Sequence, residues 1–355
     1  MFKKVLLLIE HFICFIMGLF FRLSPFKKDT YIFNSPYGLS DNAYYLMKYY
    51  LSKGHRCVWV YSKNEVHPPS HLSDVIFLRK NSYRLFYIYF KVKYIYVTHS
   101  YKSVSRFVPS NITIINLWHG AIMKKMGFDS PVDNNLSEMY INPFKRYNYF
   151  ISSSKDNVKY MVSCMNIDEK KILPFGQPRT DCLYKTQVVK NNKPRVFLYA
   201  PTFREHVKAF DMYSHFCEWF YHNKSDGDCL LVRFHPKERH FYYDLKKMYP
   251  NIMISSNEDT QKDILLSSVL ISDYSSIIFD YLVTDKRIVL YTPDYDDYFR
   301  TRNGFYFNFI ETFSDCEIYP SLTNFNIESN RSGPYLAKDK FNIEGASKRI
   351  YEHFR

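Results

Sequence analysis

Short apolar runs alternate with segments of helical periodicity along most of the chain. In the first half, helix-like stretches at residues 41–52 and 83–92 separate runs such as "TYIFNS", "RCVWVYS" and "YIYVTHS". The second half repeats this rhythm with "RVFLYAPTF", "CLLVRFHP", "VLISDYSS" and "RIVLYTPD". Strands that are apolar throughout are typical of parallel sheets covered by helices on both faces. The pattern therefore predicts an α/β protein with two doubly wound, Rossmann-like domains.

The polar segment "YKTQVVKNNKP" at residues 184–194 is the best candidate for a linker between these domains. We therefore predict an N-terminal domain at residues 29–185 and a C-terminal domain at residues 194–355. The final helical segment, near residues 342–354, either closes the second domain or crosses onto the first. Ligands of such sheets lie beyond the carboxyl ends of the strands, so if the two domains face each other the predicted site is the cleft between them.

The N-terminal segment, residues 1–28, is apolar and flanked by basic residues. Its core, "VLLLIEHFICFIMGLFF", is interrupted only by Glu10 and His11. A helix of this length falls a little short of a hydrocarbon core about 30 Å thick, and the two polar residues make a true span costly. No small-residue cleavage site follows, which weakens the signal-peptide interpretation. A buried first helix and a helix lying in the membrane interface both remain open.

Composition and charge narrow the classes of partner. The chain has 355 residues, of which 46% are hydrophobic and 19% aromatic, and its formal net charge is +13. Such a chain can bury substantial cores, and its charge favours an anionic partner: nucleic acid, an acidic membrane surface or a polyanionic substrate. No nucleic-acid recognition motif supports the first of these. The seven dispersed cysteines, without a CxxC pair, indicate reduced thiols rather than a disulfide framework or a zinc site.

Polar clusters follow four of the apolar strands, at the position where ligands of parallel sheets bind. The clusters comprise His119 and Gly120; Thr202 and Arg204; Arg233 and His235; and Asp273, Ser275 and Ser276. One such placement carries little information, because an N-cap or a turn explains it equally well. Four in one chain indicate a single site.

His119, in "NLWHGAIMKKMGFD", is the strongest candidate for chemistry. Histidine titrates near neutrality and can take a proton from an attacking hydroxyl. Gly120 lets the backbone pass close to a ligand, and Lys124 follows within about a turn. The alternative, a core histidine beside Trp118, is the commoner fate of an isolated histidine.

The remaining clusters suit phosphate. Ser275 and Ser276 at the start of a helix offer hydroxyls and backbone N–H groups, supported by the helix dipole. Arg233 and His235, two residues apart at a strand end, project on the same side and suit a diphosphate. An ordinary N-cap, and a surface arginine beside a core histidine, are the competing interpretations. No Walker or GxGxxG motif is present, so ATPase and NAD-dependent activities are disfavoured.

Taken in order, "NLWHGAIMKKMGFD", "FGQPRTD", "LYAPTFR", "FHP", "DILLSSVLISDYSSIIFDY" and "YTPDYDDYFRTRNGFYF" resemble the CDP-glycerol glycerophosphotransferase family of teichoic-acid and capsule synthesis. The similarity runs from about residue 31 to residue 307. The resemblance implies a GT-B architecture, with a C-terminal domain that binds a CDP-activated polyol donor and an N-terminal domain that presents the acceptor. It also implies donor binding without metal or other cofactor, a lipid-linked or polymeric acceptor, and peripheral association with the anionic cytoplasmic face of the bacterial membrane.

Under this resemblance the acceptor hydroxyl attacks the distal phosphorus of the donor and CMP leaves. His119 is the expected general base, with His235 as second catalytic residue. The expected donor-binding residues are Thr202, Arg204, Arg233, Asp273, Ser275 and Ser276, among which Asp273 is expected to orient its loop rather than contact phosphate. Gly120, Lys124 and Arg179 are expected at the acceptor or phosphate, although Arg179 and Asp181 in "GQPRTD" could equally form a structural ion pair.

The sequence departs from the family in two places. The usual "WHGTPLK" is "WHGAIMK" here, which places Ala121 and Ile122 where the family has threonine and proline, and Asn308 stands where an acidic residue is usual. These changes leave the transferred polyol open. The alternatives are a GT-B glycosyltransferase that uses a nucleotide sugar and a non-catalytic membrane-associated binding protein.

Overall fold

The protein, described by a computed structural model over residues 2–62, 68–131, 142–185, 194–204, 209–256 and 259–355, forms two compact units. Unit 1 comprises Met1–Gly120, Met126–Asp181 and Ile343–Arg355. Unit 2 comprises Ala121–Lys125 and Cys182–Asn342. Each unit is built around a parallel sheet.

The sheet of unit 1 has seven parallel strands in the order β3-β2-β1-β4-β5-β6-β7. Its strands are β1 (Thr30–Asn34), β2 (Arg56–Tyr61), β3 (Ile76–Arg79), β4 (Val92–Val97), β5 (Thr113–Asn116), β6 (Tyr149–Ile151) and β7 (Ile172–Leu173). Its first four helices are α1 (Phe2–Arg22), α2 (Asp41–Ser52), α3 (Tyr83–Ile88) and α4 (Lys155–Met165). The strand order reverses between β1 and β4, which is where ligands of open α/β sheets bind.

The sheet of unit 2 has six parallel strands in the order β10-β9-β8-β11-β12-β13. They are β8 (Val196–Ala200), β9 (Cys229–Val232), β10 (Met253–Ile254), β11 (Val269–Ser272), β12 (Arg287–Tyr291) and β13 (Glu317–Tyr319). The helices are α5 (Ala209–Asn223), α6 (Phe241–Met248), α7 (Thr260–Leu266), α8 (Ile277–Leu282), α9 (Tyr295–Thr301), α10 (Phe309–Thr312) and α11 (Ala337–Phe341). Apolar clusters cover both faces of this sheet, and its order reverses between β8 and β11.

Helix α1 packs on unit 1 through a narrow stripe. Phe21 is fully buried against Phe86, Tyr89 and Phe90, a contact that contributes roughly 1.5–3 kcal/mol. Gly18 permits the close approach, because a Cβ there would collide with the Ser110 hydroxyl. The rest of the helix exposes large apolar side chains: Val5, Leu6, Leu8, Ile9, Phe12, Ile13, Phe15, Ile16, Leu19 and Phe20.

Glu10 shows which side of α1 faces the protein. Glu10 is buried and forms an ion pair with Arg106, whose Nε lies 2.5 Å from the Glu10 Oε1. The Lys102 Nζ lies 3.6 Å from the Glu10 Oε2. Burial alone would raise the pKa of Glu10, but Arg106 and Lys102 hold it below its usual value. Residues Val5–Arg22 are long and apolar enough to cross a membrane, with 22% of the segment buried. The polar side therefore faces the protein and the apolar side faces outwards, so α1 is not a buried core helix.

The unit boundaries differ from the predicted domains in two places. The predicted C-terminal domain ran to residue 355, but the last helix, α12 (Ala346–Phe354), belongs to unit 1, where Ile350 and Phe354 enter the apolar core. This is the second of the two possibilities left open for the final helical segment. Residues 121–125 were assigned to the N-terminal domain but belong to unit 2, where Ala121 and Met123 are buried. Most of the predicted linker, residues 186–193, lies outside the described residues.

Candidate functional site

The loop after β5 holds His119 in a strained conformation. The side chain of Asn116, the last residue of β5, accepts a hydrogen bond from the Trp118 N–H at 2.9 Å. Trp118 has a φ of 57° and Gly120 a φ of 140°, both in the left-handed half of conformational space. Glycine is therefore required at position 120 by the backbone itself. Strain of this kind persists only where surrounding contacts enforce it, and it is frequent at functional sites.

Asn42 holds this loop in place through its side-chain hydrogen bonds. Its buried amide donates to the Trp118 carbonyl at 2.9 Å and to the side-chain oxygen of Gln177, while its own oxygen accepts from the Arg179 N–H at 3.1 Å. One side chain at the start of α2 thus joins the "NLWHG" and "GQPRTD" segments. A buried polar group with all its partners satisfied makes such a loop rigid.

The ring of His119 stacks face to face on His99. The ring centroids are 4.4 Å apart and the planes differ by 9°. Burial, and then the neighbouring His99, lower the pKa of His119 to about 3, against an opposing contribution from Asp41. Burial also lowers the pKa of His99. Both imidazoles are therefore neutral at pH 7, which is the form that can accept a proton.

Arg179 forms a structural ion pair, but its partner is Asp41 rather than Asp181. Its guanidinium lies 2.7 Å from Asp41, and both side chains are largely buried. Burial would raise the pKa of Asp41, but Arg179 holds it below the usual value. Asp181, in the same motif, accepts from the N–H groups of Ala346 and Ser347 at 2.8 and 2.9 Å and so caps α12.

In unit 2, Asp273 follows β11 and organises the strand ends at the switch point. Its Oδ1 accepts from the Thr202 N–H at 2.8 Å, the Thr202 hydroxyl at 2.5 Å and the Tyr274 N–H at 2.6 Å. Its Oδ2 accepts from Arg204 at 2.8 Å. Asp273 is buried, and these contacts are those of a residue that orients its loop, residues 273–276. The Thr202 hydroxyl, expected at the donor, is directed to Asp273.

Arg204 is the cation of this buried network. Its Nε lies 2.8 Å from Asp294 and its Nη1 donates to the Thr202 carbonyl at 2.6 Å. The guanidinium also stacks on Tyr298 and Tyr274, at 4.7 and 5.3 Å from the ring centroids. Its side chain is only 2% exposed, and its hydrogen bonds are to groups of unit 2, whereas the sequence placed Arg204 among the donor-binding residues.

Ser275 and Ser276 lie at the start of α8. The Ser275 hydroxyl accepts weakly from the Ile277 N–H at 3.5 Å. Ser276 is exposed, and its side chain makes no capping hydrogen bond within the described chain. The ordinary N-cap explanation therefore does not account for Ser276.

Arg233 and His235 have different surroundings at the end of β9. Arg233 donates to Asp263 at 2.6 Å and to the Ser255 hydroxyl at 2.9 Å, so its guanidinium ties β9 to the ends of β10 and α7. His235 is exposed, and its Nδ1 accepts from the Lys237 N–H at 3.3 Å, which leaves the proton on Nε2 as a donor. Partial burial, and then Lys237, lower the pKa of His235.

Lys124 lies in unit 2. Its segment, Ala121–Lys125, pairs with residues 304–306 through backbone hydrogen bonds of 3.0 and 2.9 Å. The Lys124 ammonium donates to the Tyr298 hydroxyl at 2.7 Å. Burial lowers the pKa of Lys124 to about 8, although Asp273 opposes this shift. The charge of Lys124 also contributes to the lowered pKa of His235, so these two groups share one electrostatic environment.

The structure thus assembles two clusters. The unit 1 cluster contains His119, Gly120 and Arg179 of the predicted residues, and the unit 2 cluster contains Lys124, Thr202, Arg204, His235, Asp273, Ser275 and Ser276. Sequence reasoning missed Asp41, Asn42, His99, Gln177 and Asp294. His99 lies two residues beyond an apolar strand, and the strand-end rule could have found it. Asn42 and Gln177 carry no such signal, because their role depends on a contact between residues 135 positions apart.

Comparison with known proteins identifies the family of this chain and several relatives. The family profile "CDP-Glycerol:Poly(glycerophosphate) glycerophosphotransferase" matches residues 16–319. The teichoic acid ribitol-phosphate polymerase TarL of Staphylococcus aureus is 28% identical over 76% of this chain and 52% of its own length. A teichoic acid poly(glycerol phosphate) polymerase of Bacillus spizizenii is 27% identical over 67% of this chain and 66% of its own. The chain spans about half the length of the ribitol-phosphate polymerases it matches.

The fold has a close counterpart among solved structures. A structure of the wall teichoic acid polymerase TagF matches with a TM-score of 0.68 and 22% identity, over 99% of this chain and 91% of that one. At 22% identity this match supports the fold and nothing more specific. It confirms the predicted α/β class with two Rossmann-like parallel sheets of the GT-B type.

Proposed function

Because the chain belongs to the CDP-glycerol:poly(glycerophosphate) glycerophosphotransferase family, we propose that it transfers a polyol phosphate from a CDP-linked donor to a hydroxyl of a membrane-linked acceptor. The product would be a teichoic-acid-like or capsular polymer, and CMP would leave. The observation that carries this proposal is the neutral, loop-held imidazole of His119, within a motif of that family.

In the proposed reaction, an acceptor oxygen forms a bond to the distal phosphorus of the donor. The bond from that phosphorus to the bridging oxygen breaks, and CMP carries away the electron pair. The proton of the attacking hydroxyl passes to His119, which begins unprotonated. The strained loop contributes by holding the ring in one orientation, since positioning supplies much of the acceleration in phosphoryl transfer.

The donor belongs, in this proposal, to the unit 2 cluster. His235 offers an Nε2–H, Ser276 an exposed hydroxyl, and Lys124 an ammonium, and all three suit the oxygens of a diphosphate. Arg204 and Asp273 would act indirectly, by fixing the loop that presents the serines. Arg233 would likewise order the end of β9 through Asp263.

Both glycerol and ribitol phosphate remain candidates for the transferred group. The relatives named above include a ribitol-phosphate polymerase and a poly(glycerol phosphate) polymerase. Ala121 and Ile122, which replace the usual threonine and proline, are 7% and 4% exposed. These two side chains fill apolar space, so their effect on polyol choice would be indirect.

The first test is CMP release from CDP-glycerol, with CDP-ribitol and UDP-sugars in parallel and a membrane extract as acceptor source. We expect acceptor-dependent CMP release that is lost in His119→Ala, while binding of the CDP donor survives. His55→Ala is the matched control, since it removes another unit 1 histidine, bonded to Tyr351 at 3.0 Å, and should keep activity. Release of UDP would identify a glycosyltransferase, and no turnover with any donor would favour a binding protein; either result contradicts the proposal.

We further propose that α1 lies in the cytoplasmic membrane interface without crossing it. Glu10 is tied to Arg106 on the protein side, while Phe12 on the opposite side is 64% exposed. Exposed Arg22 and Lys27 can meet anionic headgroups. The acceptor would then be reached at the membrane surface.

Vesicle binding tests this arrangement. Phe12→Glu should weaken co-sedimentation with anionic vesicles about ten-fold or more, because burial of a phenylalanine contributes roughly 1.5–3 kcal/mol. Leu336→Glu changes a side chain of unit 2 that is 85% exposed and should have no effect. Alkaline carbonate should extract the protein from membranes, whereas retention would indicate a spanning helix.

A further inference from the structure

We infer that His99 is a positioning residue for the proposed base: it fixes the plane of the His119 ring and keeps water from one of its faces. This inference rests on the proposed function. Nothing in the family motifs quoted above includes His99, which is two residues beyond β4. The inference rests on the place of His99 in the sheet, on its contacts and on its exposure.

The backbone of His99 is anchored at the topological switch point of unit 1. β4 pairs with β1 there, where the strand order reverses. The His99 carbonyl accepts from the Asn116 amide at 2.7 Å and from the Tyr147 hydroxyl at 3.3 Å. Asn116 also holds the Trp118 N–H, so one side chain sets both His99 and the loop of His119. The two histidines are thus placed by a common support.

The side chain of His99 is held between two rings. One face stacks on His119 with an interplanar angle of 9°, and Tyr37 meets it edge-on at 5.1 Å. Neither Nδ1 of the two imidazoles has a hydrogen-bond partner among the described residues, and both atoms are buried. Both rings are otherwise partly exposed. A structural histidine in a core normally has its ring nitrogens satisfied, so this pair does not behave as ordinary packing.

Burial is the largest cause of the lowered pKa of His119, and the stacked ring of His99 contributes to that burial. Asp41 favours a proton on either histidine, and Arg179, 2.7 Å from Asp41, opposes it. A backbone hydrogen bond with Thr98 favours the proton on His119. Two imidazolium rings at 4.4 Å would repel each other, so protonation of both rings at once is disfavoured. With both rings neutral at pH 7, the contribution of His99 is that its ring covers one face of His119.

Two substitutions test whether a flat ring at position 99 is what keeps water from His119. His99→Phe keeps a flat ring against His119 and keeps water away, whereas His99→Ala admits water to that face. We expect His99→Ala to lower kcat by 10- to 100-fold and to raise the acid limb of the kcat/KM profile by at least one pH unit. We expect His99→Phe to lower kcat by less than ten-fold and to leave the acid limb in place. Affinity for CDP-glycerol should be unchanged in both, because the donor cluster lies in unit 2.

Titration of the histidine rings by NMR provides a readout that does not depend on activity. The chain has 12 histidines, and comparison with His119→Gln identifies the signal of His119. This signal should titrate well below pH 6 in the wild type and in His99→Phe, and close to pH 6.5 in His99→Ala. His55→Ala should leave it unmoved. If the wild type releases no CMP but this pattern holds, the proposed reaction fails and the role of His99 in holding the ring stands.

The inference is overturned by either of two results. Equal titration of His119 in His99→Ala and in the wild type would mean that the stack does not control its hydration. Equal loss of kcat in His99→Phe and His99→Ala, without any shift of the acid limb, would mean that the role is structural.

Discussion

Replacement of Arg204 by methionine should disorder the loop at residues 273–276 and abolish donor binding without any direct contact to the donor. Methionine keeps an unbranched apolar chain but removes the guanidinium. Asp273 would lose its 2.8 Å contact to Arg204, and Asp294 its 2.8 Å contact to the same group. Two carboxylates would then lie close together without the cation between them.

The expected cost follows from these contacts. Removal of one partner from a buried ion pair costs about 3–5 kcal/mol, because the remaining charge stays buried. Asp273 keeps three other donors, which reduces the loss, while the stacking of Arg204 on Tyr274 and Tyr298 adds about 0.5–1 kcal/mol for each ring. The free energy of unfolding of unit 2 should therefore fall by about 4 kcal/mol.

Arg195→Met is the matched control in the same unit. Arg195 forms a buried ion pair with Asp228 at 2.5 Å, but it lies directly before β8, at the end of the sheet away from Thr202. Its loss should destabilise unit 2 by a similar amount and leave the donor cluster intact. The pair of variants thus separates stability from loop order.

The assay combines urea unfolding with calorimetric binding of CDP-glycerol. Fluorine NMR of protein labelled with 5-fluorotryptophan resolves the three tryptophans, and Trp219 reports on unit 2. Below the unfolding transition, Arg204→Met should bind CDP-glycerol at least 100-fold more weakly, and Arg195→Met should bind it as the wild type does. Equal affinity in the two variants would refute the argument, whether both bind normally or both fail.

Three further predictions concern single contacts. Gly120→Ala should lower kcat at least ten-fold with unit 1 still folded, because a φ of 140° is unfavourable for alanine; an unchanged kcat would mean the loop tolerates another conformation. Donor affinity should fall as pH rises from 7 to 9, as Lys124, with a pKa of about 8, loses its proton; in Lys124→Arg this fall should vanish, and persistence would assign it elsewhere. Asp181→Ala should lower the free energy of unfolding of unit 1 by about 1–2 kcal/mol, because α12 loses its cap. Urea unfolding measures this change, and Asp168→Ala, which removes a cap at the surface, is the comparison.

Much of the site could be located from the sequence, because polar residues after apolar strands in a parallel α/β fold meet at one edge of a sheet. The placement of His119, Thr202, Arg233 and Asp273 beyond β5, β8, β9 and β11 follows from that rule alone. The orienting role expected for Asp273 also follows, since a carboxylate repels phosphate.

The direction in which those side chains point could not be predicted. Arg204 and Arg233 stand at the expected strand ends, yet each turns to a carboxylate of its own unit, Asp294 and Asp263. A guanidinium that is being buried needs a nearby anion, and those two anions lie 90 and 30 positions further along the chain.

The sequence by itself determined the alternation of strands and helices, the parallel sheets and the residues at their carboxyl ends, because these depend on local periodicity and burial. Only the tertiary structure decided that residues 121–125 join unit 2, that α12 joins unit 1, and that His99 stacks on His119. Each of these depends on contacts between distant segments, and their free energies have no signature in the local order of residues.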